Sequence, residues 1–90
     1  WRILFAIANV FSYNEYFKEA IPMWQKTFDC MPKPRYTDSF EAMAQCCVRM
    51  GDHESAVEYY KKELELLRED WGLKYGAEVD ALEEKIRALQ

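Results

Sequence analysis

The stretch SFEAMAQCCVRMGDHESAVEYY, residues 39–60, decides how this chain folds. Its first half carries large or small apolar residues spaced three, one and three apart, which predicts one buried face of a helix; they are Phe40, Met43, Ala44 and Cys47. The Gly51-Asp52 pair then predicts a turn, because Gly readily takes the left-handed backbone that ends a helix. A second helix follows, with Ala56 and Tyr60 one turn apart on one face. The stretch therefore predicts a helix–turn–helix unit.

The same plan occurs once more, 36 residues earlier. The equivalent pairs are Leu4 and Phe40, Ile7 and Met43, Ala8 and Ala44, Phe11 and Cys47, Ala20 and Ala56, and Trp24 and Tyr60. The first turn is predicted at Tyr13-Asn14 and lacks a Gly. Periods of this length are typical of stacked helical repeats.

With these residues and with Pro32 closing the first unit, the chain resembles the tetratricopeptide repeat family. The resemblance implies an all-α fold of antiparallel helix–turn–helix repeats, part of a right-handed α-solenoid. It implies a first helix pair over residues 1–34, a second over 35–70, and a capping helix or the first helix of a third repeat over 76–90. Glu63 departs from the family, which prefers Ala at its position.

Five helices are predicted, and Pro residues and turns separate them; they cover residues 1–13, 16–30, 38–50, 53–69 or further, and 77–89. Pro22 predicts a slight kink in the second helix or a late start of it. Because the chain begins at Trp1 within an apolar helix, we expect it to be a segment of a longer repeat protein.

Composition and charge argue against several functions. The chain has 12 basic and 16 acidic residues, a net charge of −4, which disfavours binding to phosphates. RNA binding through the related pentatricopeptide repeat is therefore the weaker alternative. Three cysteines, two of them adjacent, do not form a disulfide framework, so we expect a reducing compartment such as the cytoplasm or nucleus.

No catalytic, cofactor or metal site is predicted. Cys46 and Cys47 point about 100° apart on a helix and cannot converge with His53 on one ion. Four carboxylates near the end of the fourth helix are predicted to form a solvated outer face, since no apolar pocket is evident to separate their pKa values; they are Glu63, Glu65, Glu69 and Asp70. We therefore expect an interaction scaffold or adaptor that is not an enzyme.

The resemblance implies that the first helix of each pair faces a groove that receives a peptide or a helix of another protein. The matching residues are Arg2, Phe5, Asn9, Ser12, Tyr13, Asp38, Glu41, Ala42, Gln45 and Arg49, joined by Asp80, Glu84 and Arg87 if the fifth helix begins a third unit. Asn9 matches an asparagine that some members use to hold a peptide carboxylate, but Phe5 replaces the lysine of that clamp. A partner with basic and apolar character is expected instead.

The first helix is apolar nearly all round, which predicts burial on more than one side. Another helix or a second copy of the chain could cover Phe5, Val10 and Tyr13, or Phe5 and Tyr13 could line the groove. The apolar seam of the fifth helix also suits association of two copies; it consists of Val79, Leu82, Ile86 and Leu89. A homo-oligomer is thus a further alternative.

Overall fold

The computed structural model describes residues 1–90 and is entirely helical. Its helices are α1 (Arg2–Tyr13), α2 (Phe17–Asp29), α3 (Asp38–Arg49), α4 (His53–Trp71) and α5 (Ala77–Leu89). Each helix packs mainly on its neighbours in the chain, from α1 on α2 to α4 on α5. The all-α helical repeat and its five helices are confirmed.

The turns at the ends of α1 and α3 have the same hydrogen bonds. After α3, Gly51 takes a φ of +80°, and the N–H of Asp52 donates to the Cys47 carbonyl at 2.8 Å. After α1, Glu15 takes a φ of +65°, and the N–H of Tyr16 donates to the Phe11 carbonyl at 2.9 Å. Both are helix ends with a left-handed residue. The left-handed residue of the first turn is therefore Glu15, one residue beyond the predicted Tyr13-Asn14 pair.

The N-termini of α2 and α4 differ in their caps. The Asp52 carboxylate accepts a hydrogen bond from the Ser55 N–H at 3.1 Å, which satisfies one free donor at the start of α4. Tyr16, at the same place before α2, gives no side-chain cap. The predicted late start of α2 is wrong, because the helix begins at Phe17 and Pro22 lies exposed within it.

The interior is continuous along the stack and consists of two apolar clusters. The first joins α1, α2 and α3 around Trp24, Phe28 and Met43, and the second joins α3, α4 and α5 around Tyr60 and Leu67. The four small residues at the helix crossings have no exposed surface, as expected of positions where two helices approach closely; they are Ala8, Ala20, Ala44 and Ala56.

The apolar seam of α5 is part of this interior. Val79, Leu82 and Ile86 are buried in the second cluster with residues of α4. The prediction that this seam is free to pair two copies is therefore wrong. On α1, by contrast, Ile3 is 78% exposed and Tyr13 is 89% exposed.

The segment between α2 and α3 is tied to the end of α4. The Arg35 guanidinium donates to the Asp70 carboxylate at 2.9 and 3.2 Å, and the Arg35 N–H donates to the same carboxylate at 2.9 Å. The Trp71 indole donates to the Arg35 carbonyl at 2.7 Å. These bonds fix the position of Tyr36, which stacks on Trp71. No helix in the structure has both the length and the apolar character needed to cross a membrane.

Candidate partner-binding groove

A groove of about 290 Å³ runs between α1 and α3 and is floored by α2 and α4. We call it the α1–α3 groove; its lining residues are Phe5, Asn9, Trp24, Thr37, Asp38, Glu41, Ala42, Gln45 and Glu63. Six of the ten residues predicted on α1 and α3 lie here: Phe5, Asn9, Asp38, Glu41, Ala42 and Gln45. The structure thus brings together side chains from two helices that are distant in sequence.

One end of the groove opens into an aromatic pocket of about 390 Å³. Trp1, Phe5 and Tyr36 supply its rings, with centroids 6.2 Å apart for Trp1 and Phe5 and 5.8 Å apart for Trp1 and Tyr36. Arg2 and Asp38 also line it. Because Phe5 and Asp38 line both depressions, the groove has one continuous surface. We call this part the aromatic end.

Phe5 is positioned by contacts within the chain. Its ring meets the edge of Trp24 at a centroid distance of 5.0 Å, and the Trp24 indole donates to Ser12 Oγ at 2.8 Å. An indole N–H that has a partner holds its ring in one orientation. Phe5 is therefore partly covered by α2, and the rest of its surface faces the groove.

Three predicted groove residues of α1 and α3 lie elsewhere, and the first is Ser12, whose hydroxyl accepts the hydrogen bond from the Trp24 indole. Tyr13 is at the exposed end of α1 and lines neither depression. Arg49 pairs with Glu15 across the α1 and α3 ends and stands over the Phe17 ring at 5.2 Å.

The contribution of α5 also differs from the expectation. Glu84 and Arg87 pair with each other at 2.6 Å on the surface, whereas Lys85 reaches Glu41 at 2.7 Å. Sequence reasoning missed Lys85, because its partner lies 44 residues away on another helix.

The groove itself holds the carboxyl groups of Asp38, Glu41 and Glu63, and we call this part the acidic end; Asp38 joins it to the aromatic end. Glu41 Oε1 accepts hydrogen bonds from Lys85 Nζ at 2.7 Å and Gln45 Nε2 at 3.0 Å. Burial opposes ionisation of Glu41, but the hydrogen bonds from Lys85 and Glu63 outweigh it and lower its pKa. Glu41 is therefore an anion at neutral pH.

Glu63 behaves in the opposite way. The residue is only 6% exposed, and its Oε1 atom has no hydrogen-bond partner. Burial, together with the hydrogen bond to Glu41 and its charge, raises the pKa of Glu63 to about 9. Glu63 is consequently a neutral carboxylic acid at pH 7.

The prediction that four carboxylates form a solvated face is therefore correct for two of them and wrong for the other two. Glu65 and Glu69 are exposed, but Glu63 is buried beneath the groove and the Asp70 side chain is 2% exposed. The hydrogen bonds from Arg35 lower the pKa of Asp70 to about 2. The departure of Glu63 from the family's Ala was the sequence signal that this position faces the interior.

The two adjacent cysteines and the single histidine do not line the groove. Cys46 and Cys47 are buried, and burial raises the pKa of both thiols, which keeps them protonated. His53 is exposed at the start of α4. No three side chains of His, Cys, Asp or Glu converge in a way that could hold a metal ion.

Comparison with known proteins adds one finding. A family model, described as tetratricopeptide repeat, matches residues 39–70, which span α3 and nearly all of α4. No curated protein and no solved structure matches the chain. Tetratricopeptide repeats generally mediate protein–protein interactions and are generally not enzymes. The resemblance seen in the sequence is therefore confirmed over residues 39–70, which match a tetratricopeptide repeat.

Proposed function

We propose that the α1–α3 groove binds an extended peptide or a helix of another protein, and that this partner carries basic and apolar side chains. The observation that carries the proposal is the convergence of Phe5, Asn9 and Gln45 on one surface that also carries aromatic rings and carboxyl groups. Aromatic rings at a concave surface suit large apolar side chains. Carboxylates on the same surface favour a cationic partner and disfavour an acidic one.

Charge balance supports the sign of the partner. Three carboxyl groups line the acidic end. The cation nearest to them, Lys85, is already hydrogen-bonded to Glu41. Arg2, the other cation beside the groove, lies at the aromatic end over the Trp1 ring at 5.9 Å. A basic segment therefore meets attraction along most of the surface, and its binding weakens as salt is added.

The test is a titration of the 90-residue chain with end-blocked peptides that alternate Leu with Arg, Gln or Glu. We expect the affinity to fall in that order. Asn9→Ala and Gln45→Ala should each weaken binding of the Arg peptide by about tenfold, because each removes polar contacts at the centre of the surface. Lys18→Ala, an exposed change on α2 outside the groove, is the matched control.

Two outcomes would contradict the proposed function. One is preferred binding of the Glu peptide. The other is binding that neither groove substitution alters, because the peptide would then lie on another face.

Association of copies through α1 is the second candidate, favoured by the exposure of Ile3 and Tyr13 on its outer face. Contiguous exposed apolar surface is a common feature of interfaces. Sedimentation velocity at about tens of micromolar checks this alternative. A dimer that Ile3→Glu disrupts would support it, and a monomer at every concentration would rule it out.

A further inference from the structure

The carboxyl group of Glu63 is the least satisfied polar group near the groove. Ser39 Oγ is the one other buried side-chain oxygen without a partner, and it does not line this surface. Glu63 rises from α4 into the acidic end, where its Oε1 atom is buried and accepts no hydrogen bond. Native proteins keep few such atoms, and one that borders a binding surface suggests an absent donor.

The groups around Glu63 define the chemistry of that donor. Asp38 and Glu41 face it from α3, Lys85 approaches from α5, and Tyr60 lies one turn away on α4. Lys85 is engaged by Glu41. The carboxyl groups of Asp38 and Glu63 therefore have no cation of their own.

We propose that the acidic end is a receptor for an arginine side chain of the bound peptide, with the guanidinium donating to Glu63 Oε1 and to the Asp38 carboxylate. This inference rests on the proposed function and specifies one side chain of the partner. A guanidinium suits the place better than an ammonium, because its planar fork of donors serves two carboxyl groups at once and is weakly hydrated. The rings of Phe5 and Trp24 beside the carboxyl groups provide surfaces on which it can stack.

Binding is coupled to loss of a proton. Free Glu63 is neutral at pH 7, since burial and the neighbouring Glu41 raise its pKa to about 9. When the guanidinium arrives, the O–H bond of Glu63 breaks and its hydrogen bond to Glu41 is lost, the electron pair stays on the carboxylate oxygen, and the proton passes to a buffer base. The new contacts are N–H···O⁻ hydrogen bonds, so each bound arginine releases up to one proton.

Isothermal titration calorimetry of the whole chain tests both parts. The probe is the blocked peptide acetyl-Leu-Ala-Arg-Leu-Ala-amide, and its partner probe carries citrulline, the neutral isostere, in place of Arg. Titrations at pH 7.4 in phosphate and in Tris give the number of protons released, because the two buffers differ in ionisation enthalpy. The same titrations with a lysine peptide compare the two cations.

We expect the arginine peptide to bind at least about tenfold more tightly than the citrulline peptide. It should release about 0.5 to 1 proton, and its affinity should rise by up to about tenfold per pH unit towards pH 9. Glu63→Gln keeps the shape but cannot ionise, so its binding should release no proton and should not strengthen with pH. Glu65→Gln, an exposed change on the same helix, should behave as the unmodified chain.

The outcomes separate the two proposals. Equal binding of the arginine and citrulline peptides overturns the arginine receptor while leaving peptide binding intact. Proton release that persists in Glu63→Gln, or a lysine peptide that matches the arginine peptide, also overturns it. If neither peptide binds, the proposed function fails together with this inference.

Discussion

The helix pairs α1–α2 and α3–α4 place equivalent residues 36 positions apart, yet three of these positions have different surroundings. Met43 has no exposed surface, whereas Ile7, its equivalent, is 40% exposed. Gly51 holds the left-handed turn of the second pair, and Glu15 holds that of the first. The buried Thr27 hydroxyl donates to the Met23 carbonyl at 2.8 Å, whereas Glu63 Oε1 is buried without a hydrogen-bond partner.

The comparison separates what the repeat pattern dictates from what the neighbours dictate. The apolar spacing forms a helix at both places. Burial of the outer face depends on a flanking helix: α2 covers Met43 on α3, whereas within the chain α1 packs mainly on α2. Polar residues also depend on their neighbours. Thr27 and Glu63 occupy equivalent positions of the repeat, but only Glu63 borders the groove.

The largest expected difference is between Met43→Ala and Ile7→Ala. Met43→Ala leaves a cavity at a fully buried position and should lower the free energy of unfolding by about 3 kcal/mol. Ile7→Ala should lower the free energy of unfolding by less than about 1 kcal/mol, because Ile7 buries less apolar surface and Ala favours the helix. Urea denaturation monitored by circular dichroism measures both. Equal losses would mean that the outer face of α1 is covered in solution.

The second difference concerns pH and Glu63. The folded-state pKa of about 9 lies above that of the unfolded chain, so the folded state holds a proton that the unfolded state loses. The stabilisation from this proton is complete below about pH 4.5 and falls by up to about 1.4 kcal/mol per pH unit as the pH rises to about 9.

Glu63→Gln should therefore be more stable than the unmodified chain at pH 8, and the gap should narrow towards pH 5. Urea denaturation at these two values checks the sign. Thr27→Ser, at the equivalent position, carries no ionisable group and should leave the pH dependence unchanged. A gap that does not change with pH would show that Glu63 is not held neutral.

The smallest difference lies in the two turns. Gly51→Ala should destabilise the chain by about 1 kcal/mol, because Ala pays the steric penalty of a positive φ and its Cβ meets no atom that could compensate. Glu15→Gly should stabilise it by less than about 1 kcal/mol, since relief of the same penalty is offset by loss of the exposed pair with Arg49. Thermal unfolding ranks the two variants. A stabilising Gly51→Ala would contradict equivalence of the turns.

Local patterns in the sequence predicted the helices, because spacing, Pro and Gly act within a few residues. The family resemblance also predicted residues of α1 and α3 that line one groove, including Asn9 and Gln45. Contacts across the stack had no such signal. The Lys85–Glu41 pair and the Arg35–Asp70 pair join segments 44 and 35 residues apart, and neither follows from periodicity.

The prediction that Glu63 is exposed was wrong for a related reason. Charged residues on helices are usually exposed, and the sequence gives no measure of how far α3 and α5 cover α4. Tyr13 was predicted to line the groove, but its position at the end of α1 places its side chain outside it.

Binding in the α1–α3 groove is the central claim, and a two-dimensional ¹H–¹⁵N spectrum recorded with the Leu–Arg peptide tests it directly. The chain has five side-chain amides and three indoles as reporters: Asn9, Asn14, Gln25, Gln45, Gln90, Trp1, Trp24 and Trp71. Saturating peptide should shift the signals of Asn9, Gln45 and Trp24, which line the groove, and leave those of Asn14, Gln25 and Gln90 in place. Shifts confined to the second group, with the groove reporters unmoved, would contradict the claim.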